Sequence, residues 1–359
     1  MKIREITVRN YKKFIETTIF SFCDEEGNVN EMNLILGENG SGKTSVLQAI
    51  VATLAPLTRS GFYAQELDWN GFDYRFIQSG RAPLKIEIKV DMNRSEIEAT
   101  RSFYDKLKNI DDQDRFTIRP GNKETVTLRF DYRRRRPVAN RQDLYQLYGY
   151  QYAKQLSQFV PNTSELFDKV GSVFWYTESR NSFSLSSPFS VSKDSAEKTS
   201  SLDDIRSSLA NHYYYHLAVS QGRKPKDGGQ QIDFYEKLEQ LYRRVFPNRH
   251  LVGAAPRYDE TMEDHSTPDF FLSDGTNQYE ISEMSAGERA IFPILMDFAR
   301  YNINNSIIII DEIELHLHSP LQQALVRALP LLGKNNQFIL TSHSDNVVVM
   351  FNEDEIIRL

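Results

Sequence analysis

Gly37-Glu38-Asn39-Gly40-Ser41-Gly42-Lys43-Thr44 follows the spacing G-x-x-x-x-G-K-[ST], with an apolar strand-like run (Met32, Leu34, Ile35, Leu36) before it and a helix-like run, Ser45 to Leu54, after it. Strand, loop and helix stand in the order that a phosphate-binding loop requires. The glycines let successive backbone N–H groups turn inward around phosphate oxygens, Lys43 neutralises the β and γ groups, and Thr44 offers a hydroxyl to Mg²⁺ at the helix N-terminus. Gly37, Asn39, Gly40, Ser41, Gly42, Lys43, Thr44 and Ser45 are the candidate nucleotide-binding residues of this half of a site.

The other half lies far downstream, in SIIIIDEIELHLH, Ser306 to His318. Four consecutive isoleucines, Ile307 to Ile310, read as a fully buried parallel strand, and parallel strands present ligands at their carboxyl ends. Asp311 and Glu312 stand at that end. Adjacent carboxylates point in different directions, so Asp311 is expected to join Thr44 in holding Mg²⁺ while Glu312 orients or deprotonates the attacking water. A second apolar strand, Gln337 to Leu340, runs into Thr341-Ser342-His343-Ser344 and places His343 at a strand end too. Between the halves, Ile281-Ser282-Glu283-Met284-Ser285-Ala286-Gly287-Glu288-Arg289 opens a long amphipathic helix through Phe298. Its serine and glycine make an anion-binding helix N-terminus, too far along the chain to belong to the first loop.

The order GxxxxGKT, MSAGE, hydrophobic-DE and strand-end histidine resembles the ATP-binding-cassette (ABC) ATPases and separates the chain from ring-forming ATPases and small-molecule kinases. Within that superfamily MKIREITVRNYKKF, DEIELHLHSPLQQ and TSHSDNVV are similar to the RecF, SMC and OLD branch rather than to membrane transporters. Small ATPases of bacterial anti-phage defence systems, of Septu, retron-associated and PARIS type, look alike. The resemblance covers residues 1–55 and 268–350 well and the middle loosely. It implies an α/β fold, a P-loop ABC-type head with a mainly parallel sheet core, an antiparallel β layer and a helical insertion. It also implies a head-to-tail homodimer. ATP held by Gly40, Gly42, Lys43 and Thr44 of one copy would be closed over by Ser285 and Gly287 of the other, in the segment that carries Glu288. Glu312 would then promote hydrolysis, with His343 contacting the γ-phosphate. Two departures stand out. The glutamine that relatives bring to Mg²⁺ from a middle strand has no obvious counterpart, Thr177 or Glu178 within Val173 to Asn181 being the candidates, and Ile313 follows Glu312 where relatives often carry proline.

At 359 residues the chain is long enough for about two domains. The site's carriers lie at both ends, so the expectation is one discontinuous ABC-type ATPase domain over 1–359, with its core in 1–92 and 268–359 and a β/helical insertion in 93–267. A net charge of −6 argues against coating nucleic acid by bulk charge, though it leaves room for a local basic groove. The single cysteine, Cys23, excludes an internal disulfide and a cysteine-based zinc site, as in a reducing cytosol. No apolar run approaches the roughly 18 residues of a membrane span and no signal-peptide core opens the chain, so a cytoplasmic protein without a membrane partner is expected. Fixed-period repeats and sustained heptads are absent, which sets the chain apart from SMC and Rad50 proteins with their long coiled coils.

Ile3 to Val8, Leu84 to Val90 and Thr125 to Tyr132 alternate as strands with one buried face and supply the antiparallel layer. Asp143 to Phe159, Ser201 to Val219 and Gln231 to Phe246 read as helices, the second opened by Ser201 and Asp204 in capping-box spacing. The serine-rich Ser182 to Ser201 reads as a mobile loop.

Arg133, Arg134, Arg135 and Arg136, with Arg141 nearby, form a basic cluster that could grip DNA or RNA phosphates or an acidic protein; a solvated strand end pairing with local carboxylates is the plain alternative. His212 and His216 share a helix face at i, i+4 spacing and His316 and His318 follow Glu312, but neither pair has a third metal ligand nearby, and packing or partner contact is the better reading. Arg4, Arg9, Lys12 and Lys13 cluster at the first strand and turn, as nucleotide or DNA contacts or an ordinary charged edge.

The expected function is an ATPase that uses ATP and Mg²⁺, dimerises around ATP and regulates or scaffolds a separate effector, a nuclease, in anti-phage defence. The sequence ends soon after His343, without the acidic toprim domain that OLD proteins append there, so any nuclease activity is expected to reside in another polypeptide. Two alternatives stay open: a RecF-like DNA-binding ATPase of repair and recombination, and a low-turnover ATP-bound scaffold.

Overall fold

Lys85–Asp91 alternates strictly, Ile86, Ile88 and Val90 being buried and the lysines and acids between them part exposed, which is the signature of a strand with one face on a core. It belongs to an antiparallel sheet of β1 (Lys2–Arg9), β2 (Thr18–Ser21), β4 (Lys85–Asp91), β5 (Thr125–Asp131) and β6 (Arg136–Val138), in the order β2-β1-β4-β5-β6. The computed structural model describes residues 1–58, 62–73, 83–110, 116–160, 164–178, 202–223, 233–256 and 267–359. Two units divide the chain: Met1–Thr177 with Ile303–Ile313 and Gly333–Leu359, and Glu178–Asn302 with Glu314–Leu332.

The first unit holds a second sheet, fully parallel, of β3 (Met32–Leu36), β7 (Val173–Tyr176), β11 (Ile307–Ile310), β12 (Gln337–Ser342) and β13 (Ile356–Arg358), in the order β13-β3-β12-β11-β7. Every isoleucine of β11 has zero exposure, as expected of a strand flanked on both edges and covered on both faces. Each such side chain stabilises the fold by roughly 1.5–3 kcal/mol relative to exposure. The helix Lys43–Thr58 is apolar on nearly every side, and a helix hydrophobic all round must be buried. Val46, Leu47 and Ile50 share one core with Ile6 of β1, Ile88 of β4, Leu128 of β5 and Ile307 and Ile309 of β11, so the helix is covered by both sheets.

The second unit contains the helices Leu202–Ser220, Phe234–Val245, Ala286–Tyr301 and Ser319–Ala328 and a three-stranded antiparallel sheet in the order β10-β9-β8, with β8 His250–Ala255, β9 Asp269–Ser273 and β10 Gln278–Glu280. Leu209, Leu238, Tyr242, Phe270, Leu272 and Phe292 are among its buried residues.

Three elements differ from the sequence reading. Asp143 to Phe159 is two helices, Arg141–Gln146 and Gly149–Leu156, because the chain turns at Leu147 and Tyr148. The turn brings Gly149 against Thr100 and Val170, where a Cβ would lie 2.5 Å from Thr100 Oγ1. The helix Arg94–Ile110 was not anticipated, although Asn93 caps it by accepting the Glu96 N–H and Ile97, Thr100, Tyr104 and Leu107 line one buried face. Strands β8–β10 were also missed. Residues 179–201 and 224–232 lie outside the described residues, and with them the serine-rich loop, Ser201, and the start of the helix predicted from Gln231.

Candidate functional site

Because β3, β12 and β11 run parallel, with Leu36 opposite Ser342 and Ile310 opposite Leu340, the segments that follow them leave from one edge of the sheet. Those segments are the Gly37–Thr44 loop, Asp311 with Glu312, and His343. The sheet thus brings together residues that the chain separates by 267 positions: Thr44 Oγ1 donates to Asp311 Oδ2 at 2.9 Å. The other carboxylate oxygen, Oδ1, accepts from Thr341 Oγ1 at 2.5 Å, and Thr341 Oγ1 in turn accepts the Glu312 N–H at 2.8 Å. Asp311 is 2% exposed.

The loop itself is held open by its own backbone. Gly40 and Gly42 have φ of +77° and +112°, and a Cβ on Gly42 would lie 2.8 Å from the Phe14 ring, so glycine is required there by conformation and by space. Lys43, 6% exposed, donates from Nζ to the carbonyls of Gly37 at 2.6 Å and Glu38 at 3.0 Å, which stretches its ammonium along the inside of the loop. Ser41 Oγ is buried without a hydrogen-bond partner among the described residues, Asn39 is exposed at the tip, and Ser45 lies in the first turn of the helix Lys43–Thr58. Inward N–H groups, an ammonium and an orphaned hydroxyl fit a polyphosphate. Thr44 and Asp311 supply hard oxygen donors, and Mg²⁺ takes few protein ligands when phosphate oxygens complete its shell.

Glu312 follows with φ +47°, a left-handed conformation that turns it away from the line of β11. His343 is exposed just beyond β12. Thr177 and Glu178 follow β7, and residues 179–181 of that stretch lie outside the described residues. Thr341 is the residue sequence reasoning passed over; its signal was a polar residue ending a strand beside Ile307–Ile310.

In the second unit, Ser285 is the N-cap of the helix Ala286–Tyr301. Its Oγ accepts the Glu288 N–H at 3.3 Å and donates to Glu288 Oε2 at 2.7 Å, while the Ser285 N–H donates to the same carboxylate at 2.9 Å, a complete capping box. Ser285 is exposed; Gly287 is buried, and a Cβ there would lie 2.8 Å from Leu321 Cδ2. Glu288 is 2% exposed and accepts from Tyr242 at 2.7 Å, from Tyr279, and from Arg249 as an ion pair. Burial alone would raise its pKa, but the hydrogen bonds from Arg249, Tyr279, Tyr242 and Ser285 together hold it at about 2.

The basic cluster is a hairpin turn. Arg133 and Arg134 donate their N–H groups to Asp131 Oδ1, Arg134 pairs with Asp131 at 3.6 Å, and Arg135, at φ +53°, reaches Gln65 at 2.9 Å. Arg133, Arg134 and Arg136 are exposed. At the N-terminal turn Arg4 pairs with Asp91 at 2.7 Å and Lys12 donates to Gln48 and to the Gly71 carbonyl. His212 stacks on Phe234, and His216 bonds Asp233 at 2.6 Å. No described helix is long and apolar enough to cross a membrane.

A family model described as "AAA domain, putative AbiEii toxin, Type IV TA system" matches residues 32–349. The chain is 24% identical over 392 aligned positions to the "Retron Vc95 probable ATPase" of Vibrio cholerae serotype O1 biovar El Tor, covering 99% of this chain and 73% of that protein. It is 30% identical over 128 positions to the "Retron Ec83 probable ATPase" of Escherichia coli, covering 31% of this chain and 24% of that one. Among solved structures it superposes on an SMC head bound to the C-winged helix domain of ScpA, at 15% identity and a TM-score of 0.52, over 100% of this chain and 94% of that one, which is a likeness of fold. Membership of a family of AAA domains implies ATP binding and hydrolysis. With a matched span that takes in the Gly37–Thr44 loop, Asp311 and His343, the chain belongs to the AAA-domain family so described and has relatives among the retron ATPases.

Proposed function

We propose that the protein binds ATP with Mg²⁺ in the Gly37–Thr44 loop, closes as a head-to-tail homodimer over two ATP molecules, hydrolyses them slowly, and so regulates a separate effector, a nuclease, in anti-phage defence. The observation that carries the reading is the Thr44–Asp311 hydrogen bond, which places the loop hydroxyl and the strand-end carboxylate as one pair of oxygen donors. Gly37, Asn39, Gly40, Ser41, Gly42, Lys43, Thr44 and Ser45 hold the polyphosphate. Mg²⁺, bound by Thr44 and Asp311, would neutralise the charge on the β and γ oxygens. Glu312 accepts the proton of the attacking water, and His343 contacts the γ-phosphate. Ser285, Gly287 and the segment containing Glu288 complete the site from the other copy, using the helix N-terminus as an anion seat. The retron ATPases that the chain resembles support the defence context.

The test is Glu312→Gln. A general base contributes about 10²–10⁴-fold, so turnover should fall by that factor while ATP binding persists and the ATP-bound dimer accumulates, seen by mass photometry. Normal turnover in the purified variant would sink the assignment. Purification of the natural complex, with mass spectrometry of co-eluting chains, tests the effector.

The exposed arginines of the β5–β6 turn favour a second reading, a RecF-like ATPase whose main ligand is DNA. DNA binding that weakens steeply with salt, and whose salt slope shrinks when Arg133, Arg134 and Arg136 become alanine, would support it.

A further inference from the structure

The Ser285 turn is bracketed by two arginine–glutamate pairs, each with one buried member (Arg206 and Glu288) and one part-buried member (Glu280 and Arg249), and both arginines come from outside it. Ahead of the turn, Arg206 of the helix Leu202–Ser220, 7% exposed, grips Glu280 with a two-pronged contact, Nε to Oε1 at 2.8 Å and NH2 to Oε2 at 2.7 Å. Glu280 in turn accepts the Ser282 N–H at 2.8 Å, and its own N–H donates to Glu283 Oε2 at 3.1 Å, so it shapes the single turn Ile281–Glu283 that delivers the chain to Ser285. Behind it, Arg249, from the segment before β8, pairs with Glu288, which holds both the N–H and the hydroxyl of Ser285. Both carboxylates are consumed by these bonds. Removing an arginine would leave a carboxylate, buried in Glu288 and part-buried in Glu280, without its counter-charge, which drives it to take a proton or swing toward solvent. Either response releases the Ser285 turn.

We propose that Arg206 and Arg249 are positioning residues, which hold the Ser285–Gly287 helix N-terminus in the geometry that receives the γ-phosphate bound by another copy. The inference rests on the closure proposed above and deepens it: the helix Leu202–Ser220 and the segment carrying Arg249 set the strength of ATP-dependent dimerisation without touching nucleotide.

The experiment uses the full chain with Glu312→Gln as the parent, and reads two quantities: nucleotide affinity with a fluorescent ATP analogue at concentrations where the protein is monomeric, and the ATP-dependent dimer dissociation constant by sedimentation velocity. Arg249→Met and Arg206→Met should each weaken the dimer by about 10-fold or more, with nucleotide affinity kept within about two-fold. Arg249→Lys should recover most of the loss, since one ammonium can meet Glu288, whereas Arg206→Lys should recover little, since it lacks the fork. Tyr279→Phe, a mild variant that removes one hydrogen bond to Glu288, should weaken the dimer by about three- to five-fold and guards against variants that fail to fold. A merely structural role would lower the melting temperature and leave the dimer constant of the folded protein unchanged, with Arg249→Lys no better than Arg249→Met; that result overturns the proposal. Ser285→Arg is the control: it should abolish the dimer. If Ser285→Arg dimerises normally, the closure reading itself falls. If it abolishes the dimer while the Arg206, Arg249 and Tyr279 variants match the parent, only the positioning role falls.

Discussion

Lys43 and Thr341 show how much a single side chain carries at this site. Lys43 is 6% exposed and, among the described residues, its ammonium bonds the Gly37 and Glu38 carbonyls, from where it would meet phosphate in the proposed function. Lys43→Ala is expected to weaken ATP binding by at least about 100-fold, through the loss of charge-assisted bonds to phosphate, with little change in melting temperature; isothermal calorimetry and a thermal melt check the two halves of that statement. Thr341 does the opposite work. Its hydroxyl joins Asp311 Oδ1 to the Glu312 N–H, and Thr341→Val leaves a buried carboxylate oxygen short of a donor. The expected cost is about 1–3 kcal/mol of stability in urea unfolding, together with reduced turnover as Asp311 and Glu312 lose their common anchor.

The phosphate loop is the element in which sequence and geometry agree most closely, and Gly42 is where it is most vulnerable. Its φ of +112° suits no side chain, and a methyl group would press on Phe14, whose ring is held edge-on against Phe20 at 5.5 Å. Gly42→Ala should therefore cost at least about 1 kcal/mol from backbone strain and more from the displaced ring, and should weaken nucleotide binding in parallel. Phe14→Ala with Gly42→Ala should recover only the steric share, a difference readable by a double-mutant cycle. The helices behaved less predictably. Asp143 to Phe159 is periodic enough to read as one helix, but the chain turns at Leu147 and Tyr148 and sets Gly149 against Thr100 and Val170, a packing arrangement that no periodicity announces.

For the whole molecule, the part-buried ion pairs of the second unit predict an acid limb of stability. Glu280 and Glu288 would be raised by burial, yet bonds from Arg206 and Ser282 in one case, and from Arg249 and the tyrosines in the other, bring both from the ordinary 4.5 to about 2. A carboxylate whose folded pKa is depressed contributes stability that is complete above its unfolded pKa and is lost as pH falls through the folded one. Stability should hold near neutrality, decline below about pH 4.5 and be lost toward pH 2, and Arg249→Met or Arg206→Met should flatten that limb. Urea midpoints measured from pH 6 downward on the parent and the two variants decide it. A limb of the same steepness in all three would mean that other carboxylates govern acid unfolding.

Periodicity and spacing sufficed for the strands β3, β11 and β12 of the parallel sheet and β1, β4 and β5 of the antiparallel one, though not for the short β2, β6 and β13, because strand alternation, a run of isoleucines and a glycine-rich loop are local consequences of backbone chemistry. Asp311 was legible as a strand-end residue on the same ground, following an all-buried strand. What local pattern could not carry was partnership. Thr341 meeting Asp311, Phe14 lying under Gly42, and Arg206 and Arg249 fastening Glu280 and Glu288 join residues tens of positions apart, and each depends on which side chain a sheet or helix turns toward another. Glu288 is the sharpest case: in the chain it reads as part of an exposed nucleotide-facing motif, while in the fold its carboxylate is desolvated and its hydrogen-bonding capacity spent on an arginine, two tyrosines and Ser285. Burial and the long-range pairing that makes burial tolerable arise only when the chain has folded, which is why the motif residues could be found in the sequence and the residues that hold them could not.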